Sequence, residues 1–119
     1  MVIYMLFVCY PKCTTCQKAK KWLDEKNAGY TERNIKEDNP TYEELKLWYE
    51  KSGLPLKSFF NTSGLLYKSM NLKEKLLAMS EDEQLKLLAS DGMLVKRPIL
   101  ITEKGVCAGF KPEKWENII

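Results

Sequence analysis

The chain has 119 residues, 45% of them hydrophobic and 29% charged, enough for one domain to close a core without disulfide or metal staples. Nineteen basic and sixteen acidic residues leave a formal charge of +3, too small and too evenly spread for a protein that lives on nucleic acid. Histidine is absent, which excludes Ser-His and Cys-His catalysis and every His-containing metal site, so any nucleophile must be activated by its surroundings.

The first predicted element is the continuous apolar run Val2-Ile3-Tyr4-Met5-Leu6-Phe7-Val8, bounded by Tyr10-Pro11. It lacks the basic region and small-residue cleavage site of an export signal, and it is far short of the roughly 20 residues needed to span a bilayer. It therefore reads as a buried central strand in a cytoplasmic protein with no membrane association. A helix follows from Cys13-Thr14-Thr15-Cys16, with Cys16, Ala19, Leu23 and, one step aside, Trp22 on one face, ending near Asn27 to Gly29. Tyr30 to Ile35 alternate as a second strand, giving a β-α-β unit with parallel strands.

The middle third is helical. Thr41 to Glu44, Asn71 to Glu74 and Ser80 to Glu83 each place a capping side chain three residues before a glutamate, which predicts three helix starts. Tyr42, Leu45, Trp48 and Tyr49 would line the first helix, Leu72, Leu76 and Leu77 the second, and Leu85, Leu88 and Ala89 the third. Between the first two, Pro55 opens a short turn ending in Phe59-Phe60, which Asn61-Thr62-Ser63-Gly64 breaks. The aromatic set Tyr42, Trp48, Tyr49, Phe59 and Phe60 reads as the core of this segment or as part of a docking surface.

After Asp91-Gly92, the runs 97–101 and 106–110 flank Glu103-Lys104-Gly105 as a β-hairpin, and Pro112 starts a closing helix carrying Trp115 and Ile118. The order β-α-β, helices, β-β-α predicts an α/β chain with a thioredoxin-like fold. Its sheet is mixed, and a helical insertion at about residues 40–92 separates the N-terminal β-α-β from the C-terminal β-β-α unit. Residues 1–119 read as one such domain.

The thiols carry the chemistry. Cys13 and Cys16 sit one helical turn apart at a strand-to-helix junction, the context that redox chemistry needs and ordinary packing does not. Cys13 would lie at the first turn, where unpaired N–H groups and nearby Lys12 and Lys18 favour a thiolate. Cys16, facing inward, suits the resolution of a mixed disulfide, so Cys13 is expected to attack and Cys16 to resolve. Cys9 and Cys107 lie inside strands and read as small hydrophobes. The spacing Cys9-x-x-x-Cys13-x-x-Cys16 also matches that of three-thiolate iron–sulfur sites, but the chain is too short for the barrel that usually surrounds them. A four-cysteine zinc site would need Cys107 to approach from the hairpin without a second C-x-x-C. No metal or other bound cofactor is therefore expected.

Pro98, at the start of the third strand, is readable as an edge-strand proline or as a cis-proline beside the reactive cysteine. The second reading brings Arg97 to the thiolate, where two N–H donors can hold an oxyanion. Asn61 and Lys111 are further candidates for the rim of the same site.

Taken together, Tyr10-Pro11-Lys12-Cys13-Thr14-Thr15-Cys16-Gln17-Lys18-Ala19, Arg33-Asn34-Ile35, Phe60-Asn61-Thr62-Ser63-Gly64 and Lys96-Arg97-Pro98-Ile99 resemble the ArsC-type arsenate reductases and their Spx relatives over essentially the whole chain. The resemblance implies a nucleophile at Cys13 that attacks arsenate, an oxyanion held by arginines, and glutathione with glutaredoxin as electron donor. Arg97 matches one arginine of that trio, while the other two positions fall on Asn61 and Lys111. A thiol at Cys16 is shared with the Spx relatives, which the resemblance describes as redox-switched regulators that bind the RNA polymerase α-subunit. The sequence thus leaves two functions open. One is an oxidoreductase of a small oxyanion or of a disulfide, with glutaredoxin or thioredoxin as reductant. The other is a redox-sensing regulator on RNA polymerase, without direct contact to nucleic acid.

Overall fold

The computed structural model describes residues 5–119. Strand β1 (Met5–Cys9) is buried along its whole length. It pairs in parallel with β2 (Thr31–Asn34) and antiparallel with β3 (Ile99–Thr102), and β4 (Val106–Ala108) pairs antiparallel with β3 to close the order β2-β1-β3-β4. This is the mixed sheet of the predicted α/β order. Residues 2–4 of the predicted first strand lie outside the described residues. Arg97 and Pro98 precede β3 rather than belonging to it, and β3 is an interior strand, so Pro98 is no edge-strand proline.

The side-chain period of two explains why β1 and β3 are continuously apolar: both faces of the sheet are covered. Met5, Phe7, Cys9, Leu100 and Cys107 pack on one face with Cys16, Ala19 and Leu23 of α1 (Thr14–Glu25) and with Trp115 of α6 (Pro112–Glu116). Leu6, Val8, Ile99, Ile101 and Val106 pack on the other with Leu45 and Trp48 of α2 (Tyr42–Ser52) and Leu85 and Leu88 of α5 (Glu81–Ser90). Phe59 and Phe60 are fully buried in this second cluster.

Two of the three predicted capping boxes form. Thr41 and Ser80 each accept from the backbone N–H three residues on, and Glu44 and Glu83 reach back. At the third, Asn71 adopts φ +54° and its side chain caps nothing, because a left-handed residue cannot aim its oxygen at the first turn. The chain then forms one short helix, α4 (Leu72–Lys75), and a single 3₁₀ turn over Leu76–Ala78. That tighter winding turns Leu77 outward to 88% exposure, so only Leu72 is buried there and Leu77 lines nothing. A helix that the sequence pattern does not announce, α3 (Leu65–Ser69), buries Tyr67 against Phe60.

Gly92 ties the two halves together. It is buried in a 3₁₀ turn so close to the end of β2 that a Cβ there would lie 1.7 Å from the Ile35 carbonyl oxygen. Among the described residues no helix is long and apolar enough to cross a membrane.

Candidate functional site

The site begins where β1 ends. After Cys9 the chain turns through Tyr10-Pro11-Lys12, and the Cys13 N–H donates to the Tyr10 carbonyl at 2.9 Å, which delivers Cys13 as the N-cap of α1. Its backbone is extended and its thiol is half-buried at the first turn of the helix. Desolvation pushes the Cys13 thiol up, but the Cys16 backbone N–H, the Arg97 guanidinium, the Cys16 thiol and the Thr15 N–H outweigh it. The net result is a pKa below that of an ordinary thiol. The helix-start N–H groups thus act as expected from sequence, while the exposed Lys12 and Lys18, expected to add to them, are not among the leading contributors.

Cys16 is in the opposite state. It is buried, and desolvation followed by the neighbouring Cys13 charge raises its pKa to about 12, against the pull of the Tyr10 N–H that donates to its Sγ at 3.4 Å. Burial likewise raises Cys9 to about 11 and lifts Cys107. All four cysteines are free thiols. Among the described residues no three Cys, Asp or Glu side chains gather into a metal-holding group.

Cys13 opens into a pocket of about 300 Å³ walled by four separate stretches of chain: Cys13 and Thr15, then Asn61, Ser63 and Gly64, then Lys96 and Arg97, then Gly109 to Lys111. Arg97 is presented by the cis Arg97-Pro98 bond, and its guanidinium stacks 5.1 Å from the centre of the Tyr10 ring, with Nη1 4.0 Å from the Met93 sulfur. Asn61 is anchored by its backbone N–H, which donates to the Leu94 carbonyl at 2.8 Å, and by its side-chain amide on the Met93 carbonyl. Gly64 lies against it, where a Cβ would come within 2.6 Å of the Asn61 amide nitrogen. Gly109 has φ +83°, which lets the chain turn beneath Lys96 before Lys111 caps α6.

Cys13, Arg97, Asn61 and Lys111 thus converge as expected. Lys12 does not: it is exposed in the turn and lies outside the pocket. Pro98 is buried behind the wall and accepts the Gly109 N–H on its carbonyl at 2.8 Å, so it shapes the pocket without lining it. Lys96, Ser63 and Phe110 were missed as site residues. Ser63, inside the Phe60 to Gly64 stretch, and Lys96, next to Arg97-Pro98, carried a signal in the sequence, and Phe110 carried none. Cys16 also lies outside this pocket and opens with Cys9 into a separate cavity of about 130 Å³.

This is a low-pKa thiol beside three cations, Lys96, Arg97 and Lys111, with a second, protonated thiol behind it. Known proteins resemble this chain over most of its length. The sequence profile described as the ArsC family matches residues 9–118. YusI of Bacillus subtilis, itself uncharacterized, is 59% identical over 113 residues, which cover 95% of this chain and 96% of YusI. The crystal structure of a possible arsenate reductase from Streptococcus mutans superposes with a TM-score of 0.87 at 43% identity, covering 97% of this chain and 99% of that one. The global transcriptional regulator Spx 1 of Bacillus cereus is 31% identical over 109 residues, 92% of this chain and 82% of the regulator.

Proposed function

The chain belongs to the ArsC family, and on that footing we propose that it is a thiol–disulfide redox protein in which Cys13 attacks and Cys16 resolves. The observation that carries this reading is the split between the two thiols. Cys13 has a lowered pKa in a cationic pocket, and Cys16 is held protonated one turn behind it. With a disulfide substrate, the Cys13 thiolate bonds to one sulfur and the other leaves as a thiolate that takes up a proton. Cys16 then loses its proton and attacks the Cys13 sulfur, releasing the second substrate thiolate. Two electrons pass to the substrate, and the Cys13–Cys16 disulfide that remains is reduced by an external dithiol such as thioredoxin, or by glutathione with glutaredoxin. A small oxyanion, as in the arsenate reductases, would be held by Arg97 with Lys96, Lys111 and the Asn61 amide.

A second reading is favoured by the likeness to Spx 1 and by the thiol at Cys16. It makes the same pair a switch on a regulator that binds the RNA polymerase α-subunit without turnover. One paired experiment separates the two: reduction of arsenate and of a small disulfide with each donor, beside a pull-down in which reduced and oxidised protein are offered the carboxy-terminal domain of the polymerase α-subunit. Turnover that Cys13→Ser abolishes supports the enzyme. Redox-dependent capture without turnover replaces it with the regulator.

A further inference from the structure

A groove of about 520 Å³ runs along the outer edge of β4, between the end of α2 and α6. Its walls hold Lys51, Lys57, Lys96, Lys104, Lys111 and Lys114 and, among the described residues, no acidic side chain. Six of the chain's nineteen basic residues therefore face one groove, on a chain whose charges otherwise nearly balance. Lys51 donates to the Thr102 carbonyl at 2.6 Å and Lys104 to the Ile119 oxygen at 3.3 Å. Among the described residues, Lys57, Lys96, Lys111 and Lys114 form no ion pair.

The groove floor has hydrogen-bonding capacity of its own. In the β3–β4 ladder the Thr102 N–H donates to the Gly105 carbonyl at 2.9 Å and the Gly109 N–H to the Pro98 carbonyl at 2.8 Å. Residues 105, 107 and 109 therefore turn their backbone groups towards β3. Val106 and Ala108, both in the groove wall, turn theirs to the outer edge, which no described strand covers. Such an edge accepts an added strand, and the lysines around it select for negative charge. The groove is continuous with the thiol pocket, because Lys96, Gly109 and Lys111 wall both.

We propose that this groove seats an extended, acidic polypeptide segment as an added strand on β4, so that the substrate class of Cys13 is a disulfide carried by an acidic polypeptide. The inference rests on the redox reading of Cys13, and the chemistry is the exchange written above. Nucleic acid fits the floor less well, since it has no backbone amides to pair with Val106 and Ala108.

The test follows single-turnover reduction of disulfide peptides of equal length by the reduced full chain. An acidic peptide should react about tenfold faster than a basic one at low salt, and the double variant Lys57→Glu/Lys114→Glu should remove that advantage. Neither lysine lines the thiol pocket, so reduction of 2-hydroxyethyl disulfide should not change in this variant. Methylating alternate backbone nitrogens of the acidic peptide should weaken its binding in one register and spare it in the other. Equal rates for acidic and basic peptides, or indifference to both methylation registers, would overturn the proposal. So would a short single-stranded oligonucleotide that binds the groove more tightly than the acidic peptide. If 2-hydroxyethyl disulfide itself is not reduced, the reading of Cys13 fails instead. Fluorescence anisotropy of a cysteine-free acidic peptide then decides the groove by itself, binding supporting it and no binding overturning it.

Discussion

Arg97 rests on the Tyr10 ring with its guanidinium on Cys13, and it is the one charged side chain among the leading groups that lower that thiol. Arg97→Gln should therefore raise the midpoint of Cys13 alkylation against pH towards that of a free thiol and slow labelling at pH 7 severalfold. Lys12→Gln should leave the profile in place, and equal shifts in both variants would reject the assignment. The stability linkage runs in two directions. Cys13 is lowered, so its contribution is complete above the unfolded thiol value of 9.0 and is lost as pH falls through its folded pKa. Cys9 and Cys16 are raised, to about 11 and about 12, so their neutral forms favour the fold below 9.0 and that contribution is lost as pH climbs to those values. Urea midpoints should drop between pH 9 and 11, and drop less steeply in Cys9→Ala. Cys13 and Arg97 were legible in the sequence because C-x-x-C falls at a strand-to-helix junction and Arg-Pro at the start of the third strand, so context narrowed what each could do. Lys12 misled because sequence adjacency is not spatial adjacency in a tight turn.

At the scale of elements, Glu44 does two jobs. It completes the Thr41 capping box and receives a two-pronged bond from Arg33, with Nη1 at 2.6 Å and Nη2 at 2.9 Å from its oxygens. Arg33 foremost, against some desolvation and with help from Thr41, holds its carboxyl at about 2. With the pKa depressed below its unfolded value, the contribution is present above about pH 4.5 and disappears as pH falls towards 2. Glu44→Gln should cost about 1–2 kcal/mol at pH 7 after allowing for solvent screening, and almost nothing at pH 2, by chemical denaturation. Gly92→Ala is the harsher change: with the Ile35 carbonyl 1.7 Å from the new carbon, the turn must move, and a loss of about 3 kcal/mol or more is expected from thermal melts. The Thr41 and Ser80 caps could be read from the sequence because capping is local. Asn71 could not, since whether it takes φ +54° depends on the helices packed on either side. Helix α3, five residues long with Leu65 exposed and Tyr67 buried, shows no periodicity to detect.

Across the whole molecule, the sheet divides the core into two clusters that share no residue, one under α1 and α6 and one under α2 and α5. Leu23→Val and Leu88→Val, both at fully buried positions in different clusters, should each cost about 1 kcal/mol and add within about 0.5 kcal/mol. A larger coupling term would mean that strain crosses the sheet. The mixed sheet was legible because a buried apolar first strand, a β-α-β unit and a C-terminal hairpin could each be read locally, whereas the pocket's membership was not. Ser63, Lys96 and Phe110 come from three of its four walls, which meet only once the chain has folded. The four thiols also divide by what folding does to them. Cys9, Cys16 and Cys107 are shielded and raised, and Cys13 alone is lowered. Unfolding at neutral pH therefore quickens three of them towards an electrophile and slows the fourth. The ratio of modification at Cys13 to that at Cys107, read by mass spectrometry, is a built-in gauge of how much of the population is native, independent of reagent dose and of total protein.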